Sequence, residues 1–313
     1  MSLKHWFLAL WVRNNFGKGD KKRDAGQTTP DDIERFDDIV YGGKKFKKWQ
    51  LLDVYRPKNS ASSANAKNGG GSALCKLPVI VIVHGGGWVY GDKGVYQFYG
   101  MRLAQRGFAV VNYSYRLAPE AKFPASLQDT ENVFKWICDN ADKYGLDAQN
   151  VFAVGDSAGA HLLSLYAAAL SNDSYRKNFP FIQKKNLCLR GVALNCGIYD
   201  IVAAVNDGGH TDLFVGALLA RGGKPDELKL INSVDYVTKD FPPAFVMTCK
   251  GDFLLTQAPL IKKALDDAGV LNEYKIYGTD AAPLWHVFHC DPNLPEAVAC
   301  NDDECEFFRR LIS

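Results

Sequence analysis

The chain has 313 residues, 47% of them hydrophobic, which is enough for a sizeable core and too apolar for a disordered polymer. Its 37 lysines and arginines nearly balance 35 aspartates and glutamates, so no basic excess points to nucleic acid as a partner. The eight cysteines (Cys75, Cys138, Cys188, Cys196, Cys249, Cys290, Cys300 and Cys305) contain neither a CxxC pair nor zinc spacing, which argues against a zinc module and favours a reducing compartment.

Residues 6–12, Trp-Phe-Leu-Ala-Leu-Trp-Val, follow Lys4 and are too few to span a bilayer. Arg13-Asn14-Asn15 stands where a cleavable signal needs small residues, so a soluble, cytoplasmic protein without stable membrane insertion is expected. The segment reads as a short helix packed on the main domain. A movable flap over a cleft, or a weak membrane-surface contact, is the sharper reading. Charged, glycine-punctuated sequence then leads to a first strand at 36–41 and a second at 49–55, stopped by Pro57. Residues 58–76 are rich in Ser, Ala, Asn and Gly and predict a mobile loop between neighbouring strands.

From Leu77 the pattern becomes strand-helix alternation. The β-branched run 79–83 has the character of a strand buried on both faces. Strands follow at 108–113, 151–154, 191–195, 243–249 and 273–277. Helices are predicted at 96–106, 127–144, 158–170, 257–268 and 295–311, with Thr256 as the cap of the fourth. Such alternation predicts a largely parallel sheet with helices on both sides. The interval 197–239 breaks the rhythm with polar, glycine-rich sequence around short apolar segments, and with the N-terminus it could form a small cap. The last predicted helix carries Cys300 and Cys305, between which a disulfide stays open.

Three segments carry chemistry. Gly155-Asp156-Ser157-Ala158-Gly159 directly follows the strand at 151–154 and precedes a helix, so Ser157 would be exposed on a strained turn, as a nucleophile is. The pentapeptide alone arises by chance in about one chain in ten of this length. Its strand-turn-helix context is what gives it weight. His84-Gly85-Gly86-Gly87-Trp88 follows the most buried strand, where three glycines let backbone N–H groups approach a developing oxyanion. A serine needs a base, and the base a carboxylate. Of six histidines, His5, His84, His161 and His210 fall in unsuitable places, His161 facing the packing side of its helix. His286 in the loop after the last strand is favoured over its neighbour His289. Asp252, just after the strand at 243–249, supplies the carboxylate, with Asp200 and Asp280 in reserve. The order Ser157, Asp252, His286 is that of α/β-hydrolases.

With Tyr115-Arg116-Leu117-Ala118-Pro119-Glu120 and Phe123-Pro124-Ala125, these motifs make the chain resemble the hormone-sensitive-lipase-like carboxylesterases of the α/β-hydrolase superfamily, from about residue 36 to the C-terminus. The resemblance implies a single α/β-hydrolase domain over 1–313 with cap elements at about 1–35 and 198–239. It also implies an oxyanion hole made by the N–H groups of Gly86, Gly87 and Ala158. The expected activity is a serine carboxylesterase acting on short-chain acyl esters through an acyl-enzyme, with no metal or organic cofactor. The family cap is commonly larger, and the short 197–239 insertion favours small or blunt substrates. An acetyl esterase acting on polysaccharide, or an arylformamidase-like amidohydrolase, is the alternative within the same chemistry. A catalytically silent ligand-binding homologue would be expected to lack a triad member. The expected partner is a small-molecule ester, and a homodimer stays open.

Overall fold

The β-branched run becomes a central strand of an eight-stranded sheet in the computed structural model, which describes residues 3–43, 49–58, 75–183, 189–207 and 209–312. The strands are β1 (Ile33–Val40), β2 (Leu51–Pro57), β3 (Leu77–Val83), β4 (Ala109–Tyr113), β5 (Leu146–Asp156), β6 (Leu189–Asn195), β7 (Ala244–Cys249) and β8 (Asn272–Tyr277). They lie in the order β1-β2-β4-β3-β5-β6-β7-β8. Pairs β1/β2 and β2/β4 are antiparallel and all others parallel, the largely parallel sheet expected of an α/β-hydrolase fold. Alternation explains the unbroken apolar runs. Val79, Val81 and Val83 of β3 join one core, while Ile80 and Ile82 join the core on the opposite face.

Ten helices are formed by the described residues: α1 (Leu3–Arg23), α2 (Gln97–Ala104), α3 (Ala125–Tyr144), α4 (Ala158–Ser171), α5 (Asp173–Arg176), α6 (Ile201–Asn206), α7 (Thr211–Leu218), α8 (Pro225–Leu230), α9 (Ala258–Asp267) and α10 (Pro295–Arg309). Residues of α3, α4 and α9 fill the first core and those of α2 and α10 the second. The irregular interval is three short helices, α6 to α8, and a 3-10 turn at Ser233–Tyr236.

Two expectations need correction. The N-terminal helix is not short: α1 runs 21 residues, through Gly17 and Gly19. Each glycine costs a helix about 1 kcal/mol, but Tyr90 donates to Asp20 at 2.6 Å and Arg23 donates to the Val95 carbonyl at 2.6 Å, so tertiary bonds hold the last turns. Thr256 does not cap α9. Gln257 takes that position, and its Oε1 accepts from the N–H groups of Tyr199 and Asp200, both at 2.9 Å. Cys300 and Cys305 are free, buried thiols in α10. Residues 59–74 of the predicted mobile loop lie outside the described residues.

Candidate active site

Strand β5 ends at Asp156 and α4 begins at Ala158, which leaves Ser157 alone to reverse the chain, at φ 51° and ψ −121°. A non-glycine residue at positive φ stores about 1–3 kcal/mol of strain unless its surroundings hold it. Here the Ser157 N–H donates to the Asn195 carbonyl at 2.9 Å. Close packing dictates the flanking glycines. A Cβ on Gly159 would lie 2.0 Å from the Val83 carbonyl oxygen, and one on Gly155 2.7 Å from that of Gly159.

The glycine loop leaves β3 beside this turn. Gly86 and Gly87 have φ of 110° and 58°, open to glycine at no steric cost. A Cβ on Gly87 would press to 2.6 Å from the Phe214 ring of α7. Among the described residues, the N–H groups of Gly86, Gly87 and Ala158 have no protein acceptor. Tyr96, fully buried against the loop, accepts from the Gly85 N–H at 3.0 Å and donates to Asp156 Oδ2 at 2.6 Å. Burial pushes the Asp156 carboxyl up to about 6, against the pull of the Tyr96 hydrogen bond. The Tyr-Arg-Leu-Ala-Pro-Glu segment is a brace. Tyr115 stacks on His84 with ring centroids 4.0 Å apart and donates to the His84 carbonyl at 2.8 Å. Arg116 is anchored on Asp129, the Ala118 N–H donates to the Trp88 carbonyl, and Glu120 accepts both Nη groups of Arg13, at 2.6 and 2.8 Å.

Asp252 follows β7, and His286 lies in the loop after β8. His286 Nδ1 is 2.7 Å from Asp252 Oδ1, the geometry of a ring N–H held by a carboxylate. Asp252 also accepts from Thr248 Oγ1 at 3.0 Å and the Leu254 N–H at 2.8 Å. Burial alone would raise its carboxyl, but the His286 hydrogen bond and charge and the Leu254 N–H outweigh it and hold the carboxyl below its ordinary value. The carboxylate side chain is wholly buried, whereas the imidazole is 19% exposed.

The remaining candidates are elsewhere. His289 is buried with Nε2 3.6 Å from Cys290 Sγ, and burial lowers its pKa to about 3. His84 and His161, lowered by burial to about 4, are likewise neutral at pH 7, and His161 meets the Ile231 carbonyl at 2.8 Å on the packing side of α4. His5 is buried in α1, and His210 is exposed at the start of α7. Asp200 caps α6, and Asp280 is an exposed partner of Lys250.

Ser157, His286, Gly86, Gly87 and Ala158 line one cavity of about 640 Å³ at the carboxyl ends of the parallel strands. Residues of the N-terminal segment and of the 197–239 interval, both read from the sequence as cap elements, also line it. Phe16, Gly19, Asp20 and Arg23 of α1 and Phe214 of α7 contribute to it, as does Tyr96 from the sheet side. The bonding of Arg13 to Glu120 could have been suspected only from charge, and Tyr96 carried no sequence signal. Two buried clusters bring metal-capable atoms within 4.8 Å of one another: Asp156 with His289 and Cys290, and Cys196 with Cys249 and Asp252. In each the carboxylate already serves a hydrogen-bond partner, Tyr96 in the first and His286 in the second.

A nucleophile on a strained turn, a carboxylate-held imidazole and three unpaired N–H groups around one cavity suit acyl transfer. Comparison with known proteins bears on this chemistry. A family model described as BD-FAE matches residues 69–265. Versiconal hemiacetal acetate esterase of Dothistroma septosporum is 27% identical over 237 residues, which is 71% of this chain and 69% of that protein. Esterase LipQ of Mycobacterium tuberculosis is 27% identical over 259 residues, 80% of this chain, so the match spans only 55% of the length of LipQ. Among solved structures, esterase B from Lactobacillus rhamnosis, in a C6-C4 SN3 inhibited form, superposes with a TM-score of 0.85 at 26% identity, over 98% of this chain and 96% of that one.

Proposed function

The chain belongs to the BD-FAE family and is an α/β-hydrolase carboxylesterase, and from that premise we propose that Ser157, His286 and Asp252 hydrolyse short-chain acyl esters through an acyl-enzyme. Ser157 Oγ attacks the ester carbonyl carbon while His286 Nε2 takes its proton. Asp252 accepts the Nδ1–H, which fixes the tautomer and stabilises the imidazolium that forms. The carbonyl oxygen becomes an oxyanion that accepts from the N–H groups of Gly86, Gly87 and Ala158. Collapse breaks the bond to the alcohol oxygen, and His286 returns the proton to it. Water, deprotonated by the same imidazole, then attacks the acyl carbon and releases Ser157.

The observation that carries this reading is the 2.7 Å contact between buried Asp252 and His286, which lines the same cavity as Ser157. The short-chain preference rests on Phe214. Its ring stands against Gly87 and lines the cavity, so it narrows the space left for an acyl group. Related structures include esterase B from Lactobacillus rhamnosis inhibited by a C4-C4 SN3 tributyrin phosphonate. Hydrolysis of p-nitrophenyl esters of increasing chain length, by wild type and by Ser157→Ala, tests the assignment.

A further inference from the structure

Among the described residues, nothing packs on the side of α1 opposite its buried residues. Leu3, Phe7, Leu10 and Trp11 stand on it with exposures of 75, 69, 58 and 61%, whereas His5, Ala9 and Val12 are buried on the other side. Intervals of three, four and seven residues place the exposed four on one stripe. About two turns beyond Trp11 the same side continues into Lys18, followed by Lys21 and Lys22, all exposed. Among the described residues, none of these three lysines meets a carboxylate, although Arg23 beside them binds both Asp20 and Asp24. No acidic residue lies on this side of the helix.

A clustered set of four large apolar side chains is more than water-facing surface ordinarily carries. Exposed apolar and aromatic side chains on the first half of one side and lysines on its second half suit contact with a bilayer surface, aromatic rings among the headgroups and ammonium groups at the phosphates. No helix among the described residues is long and apolar enough to cross a membrane, so this helix would lie on a bilayer and not through it. A second copy docked through this same face would offer the same lysines and no carboxylate, whereas anionic headgroups supply the missing charge. We propose that the outward side of α1 docks the protein onto an anionic phospholipid bilayer surface. The opposite side of the same helix lines the cavity through Phe16, Gly19, Asp20 and Arg23, so docking would bring the cavity wall next to the lipid.

The test is co-sedimentation of the full chain with vesicles of phosphatidylcholine alone and with about one-third phosphatidylserine. The wild type should bind the anionic vesicles at least about tenfold more strongly, and less so as salt is raised. Phe7→Ser/Trp11→Ser should bind neither kind of vesicle, and Lys18→Glu/Lys21→Glu/Lys22→Glu should lose the anionic preference. All these positions are exposed, and an unchanged thermal melting curve shows that each variant is folded. Equal partition of wild type between the two vesicle types, or no binding to either, overturns the proposal. Self-association abolished by Phe7→Ser/Trp11→Ser, without vesicle binding, overturns it in favour of a second copy of the chain.

Discussion

Tyr96 ties the two glycine-bearing segments of the candidate site together through one hydroxyl, which accepts from Gly85 and donates to Asp156. Tyr96→Phe would leave the Gly85 N–H without its acceptor, at a cost of about 1–3 kcal/mol. The same change strips the buried Asp156 carboxylate of its donor, one residue before Ser157. Because the loop so held presents the N–H groups of Gly86 and Gly87, the loss should fall on transition-state stabilisation. The variant should show a kcat lowered about tenfold or more, a KM close to wild type, and a melting temperature that still reports a folded protein. A matching rise in KM with unchanged kcat would mean that Tyr96 positions substrate and not the oxyanion loop. At this scale the sequence was legible where chemistry forces residue type. Ser157, Asp252 and His286 stood out because a nucleophile, a base and a carboxylate are needed at strand ends, and the last two do meet at 2.7 Å. Tyr96 and Arg13 were not legible, because any tyrosine in a helical stretch and any arginine near the N-terminus reads as ordinary until the fold brings its partner close.

Among the elements, α1 departs most from its sequence reading, by its length. Helix α1 buries only His5, Ala9 and Val12, a small apolar contribution for 21 residues. Its place therefore depends on polar ties such as the Arg13 and Glu120 pair, whose side chains are 24% and 33% exposed and whose attraction is correspondingly modest. The apolar run at 6–12 was visible, but Gly17, Gly19 and the charges beyond it masked the rest of the helix, which tertiary contacts sustain. The buried strands, by contrast, were readable because a strand covered on both faces must be apolar throughout. In the proposed reading, Phe214 of α7 limits the acyl chain. Phe214→Ala removes the ring that stands over Gly87 and should move the preferred p-nitrophenyl ester to a longer chain, raising kcat/KM for octanoate relative to butyrate about tenfold. An unchanged chain-length profile would place the limit elsewhere in the cavity.

For the molecule as a whole, the second core conceals an acid. Glu304 of α10 is fully buried and accepts from Asn195 Nδ2 at 2.7 Å and the Tyr99 hydroxyl at 3.0 Å, joining α10 to the end of β6 and to α2. Burial is the dominant influence and pushes its carboxyl from 4.5 up to about 7, despite those two donors. A raised acid keeps its proton longer in the folded state than in the unfolded chain. Its contribution to stability is thus complete below about 4.5 and is lost as pH rises through about 7, with a slope approaching about 1.4 kcal/mol per pH unit at most. Denaturant unfolding between pH 5 and 8 should show this loss in wild type, and Glu304→Gln should flatten it. A wild-type profile parallel to that of Glu304→Gln would mean that Glu304 stays ionised throughout. The same architecture brings the Ser157 turn, the glycine loop and the Asp252–His286 pair to one cavity from four separate strand ends, and the proposed hydrolysis depends on that convergence. Its most direct test is p-nitrophenyl ester hydrolysis across acyl lengths by wild type and Ser157→Ala. The account predicts a wild-type maximum between acetyl and butyryl, and no turnover above background by folded Ser157→Ala at any length. Turnover by Ser157→Ala at the wild-type rate would contradict it.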